Sequence, residues 1–230
     1  MSPPRKQALE VQRRLLATYG EPTWRTSLPP VDELVSTILS QNTNDLNRDR
    51  AFEALRARFP TWEAVRDARP QAVIRAIRPA GLANLKGPRI QQALCAITEA
   101  RGRLELDFLR ELTPDDARDW LLRLKGVGPK TAAIVLQFSL GMPAFPVDTH
   151  VHRVSGRLGL RPEKASAERA HTLLARLFPP ESYYSAHLNL IRLGRQVCKA
   201  RQPLCERCPL TDLCRYYRKV VAPEQKQRVP

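Results

Sequence analysis

The sequence predicts an all-α protein, because helical periodicity runs along most of the chain and Gly and Pro fall at the joints between periodic segments. No run shows the alternation typical of a half-buried strand. Of the 230 residues, 43% are hydrophobic and 27% are charged, which is an ordinary globular composition. The length suits one large domain or two small lobes. Wholesale disorder and the sheet-based nucleotide folds are therefore excluded.

Five predicted helices in the first half of the chain carry apolar residues three or four positions apart. The first helix ends at Gly20, and the second begins at the pair Pro29 and Pro30 after a linker over 21–30. The apolar stripes are, in chain order, Ala8, Val11, Leu15 and Tyr19; Leu34, Val35, Ile38 and Leu39; Phe52, Leu55 and Phe59; Val73, Ile74 and Ile77; and Ile90, Leu94 and Ile97.

The second half continues as helices with recognisable starts. Thr113 followed by Pro114 and two aspartates is typical of a capped helix start, with acids near the positive end of the helix dipole. An amphipathic helix follows it, and further helices begin near Pro129, Asp148, Ser166 and Ser182. About ten short helices are predicted in all, with a frayed polar end.

The charge balance favours a polyanionic partner. The chain has 38 Lys and Arg, of which 30 are Arg, against 23 Asp and Glu, so its formal net charge is +15. Arg presents a planar fork of donors that suits phosphate. Charge alone leaves ribosomal, membrane-surface and genome-maintenance proteins open.

Neither a membrane span nor a secretory signal is predicted. The most apolar stretch, 132–140, is interrupted by Gln137 and Ser139 and is far shorter than the roughly 20 residues a span needs. The basic N-terminus lacks the apolar segment of a signal peptide. We therefore expect a cytoplasmic protein, associated with the nucleoid if it is bacterial.

Four of the five cysteines lie close together as C-x6-C-x2-C-x5-C, at Cys198, Cys205, Cys208 and Cys214. An odd cysteine count without an export signal argues for a metal site rather than disulfides. Thiolates bind iron and zinc, and this spacing leaves a structural zinc and a cubane iron–sulfur cluster both open. Cys95, on an apolar helix face, is expected to be a small buried hydrophobic residue.

A glycine hairpin lies between two predicted helices in LKGVGPKTA. Gly126, Val127 and Gly128 let the chain turn tightly and bring backbone N–H groups near an anion, while the new helix presents its positive end. A lone GxG would favour a simple turn. Here the glycines join two helices, with Lys125 on one side and Lys130 on the other. A helix-hairpin-helix grip on nucleic-acid phosphate is the better interpretation.

Two residues could carry chemistry. Lys130, in the first turn after the hairpin, is either one more phosphate-binding cation or a nucleophilic amine activated by the helix end and nearby Arg. Asp148, in PVDTHVHRV, is expected to cap a helix. A cap fixes the carboxylate in space, and a fixed carboxylate near an amine can move protons and stabilise a positively charged sugar.

The hairpin LKGVGPKTA, the VDTH stretch and the four-cysteine pattern together resemble the endonuclease III family of DNA glycosylases, from about Val31 to Cys214. The resemblance implies a helix-hairpin-helix glycosylase fold of two helical lobes with a C-terminal [4Fe–4S] loop. It implies these segments: an N-terminal helix on the cluster lobe (1–29), a six-helix barrel with the hairpin at 124–130 (30–145), C-terminal helices with the cluster loop (146–215), and a basic tail (216–230).

The family's mechanism implies catalytic roles for Lys130 and Asp148 in removing oxidised pyrimidines from duplex DNA through a lysine Schiff base. β-Elimination then nicks the abasic site. In the family, two wedges fill the gap left by the flipped base, and these positions correspond to Asn42 and to Leu82. Gln41, beside Asn42 in the first wedge, is also expected to contact DNA. Many members have Gln at the place of Asn42. A helix cap and a core leucine are the competing interpretations of Asn42 and Leu82. His150 is either a helix residue with ordinary hydrogen bonds or, because it follows Asp148 by two positions, a residue that assists Asp148.

Two other functions remain open at this point. One is a monofunctional glycosylase, such as the adenine- or thymine-mismatch branches, which typically have another residue at the place of Lys130. The other is a non-catalytic, cluster-bearing DNA-binding protein, which would need neither Lys130 nor Asp148. The expected partner is double-stranded DNA with a damaged or abasic nucleotide, bound by a monomer and without a membrane. The cluster is expected to fold its loop rather than act on the substrate.

Overall fold

The computed structural model describes residues 2–23 and 28–223, and every regular element within them is helical. The all-α prediction is confirmed for this part of the chain. Its α-helices are α1 (Pro3–Tyr19), α2 (Pro30–Leu39), α3 (Asp45–Arg58), α4 (Trp62–Asp67), α5 (Pro70–Ala76), α6 (Ala83–Arg101), α7 (Pro114–Leu122), α8 (Pro129–Ile134), α9 (Thr149–Leu158), α10 (Ala167–Leu177) and α11 (Tyr183–Gln196).

The chain divides into two compact units. The first comprises Met1–Arg25 and Pro143–Pro230, and the second comprises Thr26–Met142. The first unit thus holds α1, α9, α10, α11 and the cysteine loop, whereas the second holds α2 to α8. Residues 24–27 of the predicted linker and 224–230 of the predicted tail lie outside the described residues. The tail begins as a helical continuation over 215–223.

Most predicted helix boundaries are observed because they depend on local chemistry. Gly20 ends α1 with a φ of 75°, and the Thr113 hydroxyl accepts the Asp116 N–H at the start of α7. The short helix α4 was not predicted, because six residues are too few to show a period. It is held instead by the Trp62 indole, whose N–H donates to the Asp32 carboxylate at 3.0 Å.

The core of the first unit packs α1 together with helices that lie far away in sequence. Ala8, Val11 and Leu15 of α1 are buried in one apolar cluster with residues of α9, α10 and α11. The Gln7 amide of α1 also donates to the carbonyls of Leu158 and Leu213, both at 2.9 Å. The N-terminal helix therefore supports the end of α9 and the cysteine loop directly.

The second unit packs α6 against α4 and α5. The expectation for Cys95 on α6 is only partly met, because this side chain is half-buried rather than fully enclosed. Among the described residues, no helix combines the length and the apolar character that crossing a membrane requires.

Candidate active site and metal centre

The predicted hairpin is a tight turn between α7 and α8. Gly126 has a φ of 86°, which glycine adopts without the steric cost of a Cβ. Val127 is buried and anchors the turn, while Lys125 is exposed. A Cβ on Gly126 would lie 2.9 Å from the Cδ atom of Arg89, so the turn also needs glycine for space. The backbone around Gly128 stays open to an approaching anion.

The two hairpin glycines should respond differently to replacement by alanine. Gly126→Ala forces a left-handed backbone and a clash with Arg89, so we expect a loss of about 1–3 kcal/mol in the free energy of unfolding. Gly128→Ala is the matched control, because φ is −103° and no described heavy atom lies within 4 Å of the new Cβ. Gly128→Ala should keep the melting temperature but weaken DNA binding, because the methyl group occupies the space a phosphate needs. Thermal melts and DNA titrations test this, and equal melting temperatures for the two variants would contradict it.

Lys130 lies in the first turn of α8, directly after the hairpin. Its side chain is half-buried, so the position restricts the amine without removing it from solvent. The short helix continues as a π-helical turn over Val135–Ser139, which the Arg110 guanidinium holds by donating to the carbonyls of Ser139 and Leu140. Lys130 is thus carried by a continuous, anchored helical segment.

Asn42 and Leu82 are the non-glycine residues with positive φ in the described part of the chain, at 52° and 49°. Neither competing interpretation of them holds. Asn44, not Asn42, caps α3 through its side chain, and Leu82 is 54% exposed rather than buried in the core. Left-handed backbone at bulky residues is costly and clusters at functional sites. Both side chains project from turns of the second unit.

The turn that carries Asn42 is tied to the hairpin. The Gln41 amide donates to the Gly126 carbonyl at 3.3 Å. Gln41 was predicted to contact DNA, and the structure gives its amide this additional structural bond. Within the second unit, the Asn42 turn and the Gly126 hairpin are therefore neighbours.

Asp148 caps α9 in the first unit, as predicted, since its carboxylate accepts the Val151 N–H at 2.7 Å. The preceding residues are held by two histidines, whose ring nitrogens contact carbonyl oxygens: His171 with Phe145 at 3.0 Å and His187 with Pro146 at 2.9 Å. A carbonyl can only accept, so these ring nitrogens carry the proton. Asp148 is therefore fixed by the two histidines that hold the residues before it and by the Val151 N–H after it.

His150 follows in the first turn of α9. Its Nδ1 atom lies 3.1 Å from an Arg153 guanidinium nitrogen, and its Cβ packs against Gly194. Arg153 also donates to the carbonyls of Gly194 and Cys198, at 2.9 Å and 3.0 Å. His150 is therefore held in place by the link between α9 and the cysteine loop.

The four clustered cysteines are placed by short turns after α11. Cys205 begins one 3-10 turn and Cys208 ends it, and Cys214 ends the next, over Thr211–Leu213. The salt bridge from Arg14 of α1 to Asp212 holds the second turn from outside. The loop thus brings four thiols to one place without a regular helix.

The four clustered thiols form a donor set that suits a metal group. All four line one pocket, so their sulfurs face a common space, and thiolates are ligands for zinc as well as for iron–sulfur clusters. Burial is the main reason that the pKa of the Cys208 thiol is raised, to about 11, and the neighbouring sulfurs add to it. A metal group that offsets the negative charge is needed to keep four thiolates together here.

Arg157 of α9 supplies positive charge and hydrogen bonds to this loop. Its guanidinium donates to the Cys198 Sγ atom at 3.3 Å and to the carbonyls of Lys199 and Ala200 at 2.6 Å and 2.8 Å. It also lies over the Tyr216 ring, 4.6 Å from the centroid. Arg157 therefore stabilises both the loop backbone and the Cys198 sulfur.

Arg157→Met should loosen the cluster without unfolding the unit. The apolar stem can still pack on Tyr216, but the donors to Cys198 and the loop carbonyls are lost. Supporting residues of this kind typically change metal affinity 10–100-fold, so we expect visible absorbance to be lost about 10-fold faster under a chelator. Arg176→Met, at an exposed arginine of α10, is the control and should behave like wild type. An unchanged rate of loss for Arg157→Met would show that the loop holds its cluster without this arginine.

Comparison with known families decides the assignment. The model of the HhH-GPD superfamily of base excision DNA repair proteins matches residues 35–180, which is more than half of the chain. The iron–sulfur binding domain of endonuclease III matches residues 198–214, from the first to the last clustered cysteine. The chain belongs to the endonuclease III family of DNA glycosylases. The resemblance inferred from the motifs and the predicted enzyme class are thereby confirmed.

Individual relatives agree. The chain is 35% identical to endonuclease III of Thermotoga maritima over 190 residues, covering 83% of this chain and 84% of that protein. It is 36% identical to endonuclease III of Bacillus subtilis over 186 residues, covering 81% of each. Other relatives are longer: the chain spans 64% of a DNA glycosylase of Arabidopsis thaliana and 9% of the rice protein ROS1C.

A solved structure gives the same result for the fold. The structure of a trapped covalent intermediate of endonuclease III with DNA superposes with a TM-score of 0.81 at 30% identity, covering 94% of this chain and 98% of that one. Together with the endonuclease III match at the cysteines, this settles the choice that the spacing left open. The protein holds a [4Fe–4S] cluster, as the family resemblance implied, and the iron–sulfur match spans the four clustered cysteines.

In this endonuclease III family member, several residues that act through others belong to no sequence motif. His171 and His187 fix the approach to Asp148, and Arg153 and Arg157 connect α9 to the cysteine loop. Lone histidines and arginines in a chain with 30 Arg carry no local signal, so only the fold could reveal them. Lys86 is different. It lies four residues before Ile90 on the apolar stripe of α6, and a lysine in such a stripe is an exception that the sequence alone shows.

Proposed function

We propose that the protein is a bifunctional DNA glycosylase and abasic-site lyase that removes oxidised pyrimidines from duplex DNA. The observation that carries the proposal is the place of Lys130, in the first turn after a hairpin whose backbone is open to phosphate. A phosphate held by the hairpin fixes the DNA backbone within reach of this amine. The net charge of +15 supports binding to the polyanion.

The chemistry begins once the damaged nucleotide has left the base stack, since its glycosidic carbon is unreachable inside the duplex. The Lys130 amine forms a bond to the C1′ atom of the sugar, and the bond from C1′ to the base breaks, with its electrons leaving on the base. Opening of the sugar ring gives a Schiff base between Lys130 and C1′. Loss of a proton from C2′ then expels the 3′ phosphate by β-elimination and nicks the strand.

Asp148 provides the complementary charge in this proposal. Its carboxylate is held by the Val151 N–H and by the anchored segment before it, so it needs no reorganisation during the reaction. It accepts a proton from the Lys130 ammonium and stabilises positive charge on the sugar.

The remaining residues bind and shape the DNA. Lys125 and the backbone of the hairpin, Gly126, Val127 and Gly128, contact phosphate. Asn42, beside Gln41, and Leu82 enter the gap left by the flipped nucleotide, and His150 assists beside Asp148. The [4Fe–4S] cluster supplies structural support for the loop of Cys198, Cys205, Cys208 and Cys214. We propose that the protein acts as a monomer in the cytoplasm, where it meets chromosomal DNA.

Borohydride trapping on a duplex with one oxidised pyrimidine tests the proposal. A covalent protein–DNA adduct together with a nicked strand is expected, and an undamaged duplex of the same sequence is the control. An alkali-labile site without an adduct would indicate a monofunctional glycosylase. Tight binding without either product would favour a non-catalytic, cluster-bearing DNA-binding protein.

A further inference from the structure

Lys86 is a charged residue inside the second unit that the proposed chemistry does not use. Its side chain is 1% exposed, and its Nζ atom donates to the carbonyls of Leu39 and Ala80, both at 2.7 Å. Burial lowers the pKa of its amine. A buried charge is costly unless it is fully hydrogen-bonded, so these two contacts are what make the lysine tolerable here.

The two carbonyls belong to the turns that carry the left-handed residues. Leu39 is the last residue of α2, three positions before Asn42, and Ala80 ends a 3-10 turn, two positions before Leu82. The last carbonyls of a helix have no N–H partner within it, and they attract a cation. We name the segments 40–43 and 80–82 the two wedge loops. One ammonium group thus binds the residue at the base of each.

This arrangement limits the distance between the carbonyl oxygens of Leu39 and Ala80. Because both oxygens lie 2.7 Å from one Nζ atom, they can be at most twice that distance apart. The part of α6 that carries Lys86 is itself held firmly by its neighbours. Gly87 packs so closely that a Cβ would lie 2.9 Å from Ile74 of α5, and the Gln91 amide donates to the carbonyls of Val65 and Ala68 near α4. The ammonium therefore extends the rigidity of α6 to both wedge loops.

The wedge loops need such support because the side chains at their tips are exposed. The Asn42 and Leu82 side chains are exposed, and their left-handed backbones cost free energy that neighbouring structure must supply. A side chain that is to enter a base stack has to be at a defined distance from its partner wedge. A shift of about 1 Å can cost about 10²-fold in rate.

We propose that Lys86 is a positioning residue that fixes the separation of the two wedge loops, and so determines how well the enzyme holds a nucleotide out of a duplex. This inference rests on the proposed function. Lys86 does not touch the DNA or the reacting atoms. It acts through Asn42 and Leu82, and only where a gap in a base stack has to be filled.

Two substrates separate this role from a general structural one. On a duplex with one oxidised pyrimidine, Lys86→Met should lower the single-turnover excision rate about 10- to 100-fold, because the wedges are no longer held together. On a single-stranded oligonucleotide with a preformed abasic site, no gap has to be filled. Borohydride trapping on this second substrate should stay within about twofold of wild type.

Gln91→Met is the matched control. Gln91 is also a buried polar residue of α6 whose donors go to backbone carbonyls, but its partners lie near α4 and not at the wedge loops. It should lower the melting temperature and change the rates on both substrates by the same factor. A duplex-specific loss as large as that of Lys86→Met would overturn the proposal.

A double-mutant cycle tests the route of the effect. In a background of Asn42→Gly and Leu82→Gly, the wedge side chains are absent and glycine relieves the backbone strain. Lys86→Met should then change duplex excision by no more than about twofold, because nothing remains for it to position. An equal loss in both backgrounds would show that Lys86 acts elsewhere.

Folding and the proposed function are controlled separately. If Lys86→Met does not fold, Lys86→Gln, which keeps a donor for one carbonyl, takes its place and should show the same duplex-specific loss. If neither variant folds, Lys86 serves stability alone and the proposal is wrong. If wild type fails on both substrates, the proposed function fails instead, whereas wild-type activity with an unaffected Lys86→Met variant overturns only the positioning role.

Discussion

Lys130→Gln will abolish the borohydride-trapped adduct and lower excision of an oxidised pyrimidine by at least about 10⁴-fold, the scale seen when a nucleophile is removed. The amide cannot form a Schiff base, while its size lets the first turn of α8 persist. Binding to a lesion duplex should remain close to wild type, since the hairpin backbone is untouched. Single-turnover kinetics and trapping on the same duplex measure both quantities.

Lys125→Gln is the matched control for this loss. Lys125 lies on the other side of the hairpin and is exposed. Its replacement should weaken DNA binding uniformly and reduce the slope of log affinity against log salt by about 0.9, the value for one phosphate contact. The adduct should still form at saturating protein. An adduct that persists in Lys130→Gln would place the nucleophile on another amine.

Asp148→Asn will separate the role of this side chain as a helix cap from the role of its negative charge. Asn caps helices about as well as Asp, so the bond to the Val151 N–H is kept and the free energy of unfolding should change by less than about 0.5 kcal/mol. The carboxylate charge is lost, and with it a proton acceptor. Excision should fall about 10²- to 10⁴-fold, the range typical of general acid–base groups.

Asp148→Ala completes the comparison, because it removes the cap as well. It should show the same loss of excision, with about 1 kcal/mol of additional destabilisation. Thermal melts and single-turnover rates on the lesion duplex, measured for both variants, decide the matter. If Asp148→Asn excises at the wild-type rate, the residue serves only as the helix cap.

Local features of the site were predictable because they depend on neighbours in sequence. The hairpin glycines, the helix cap at Asp148 and the cysteine spacing need only short-range geometry, and the structure places each where the sequence indicated. The family comparisons then identified the cluster, which the spacing alone left open between zinc and iron–sulfur. The spacing of the cysteines does not by itself determine which metal group they bind.

The exposure of the wedge-loop residues could not be predicted from the sequence. Leu82 could be read as a core leucine, yet it is 54% exposed in a left-handed turn, because burial depends on what the rest of the chain places beside a residue. Cys95 was expected to be buried for the same local reason and is only half-buried.

The sequence by itself determined that this protein is helical, where most of its helices begin and end, and which residues are proposed to carry its chemistry. Periodicity, caps and turns express interactions over a few residues, so they can be read from the chain. Only the tertiary structure decided that the Lys86 amine joins the ends of two turns 41 residues apart, at Leu39 and Ala80. Contacts between distant segments depend on how helices pack, and no local pattern records that packing.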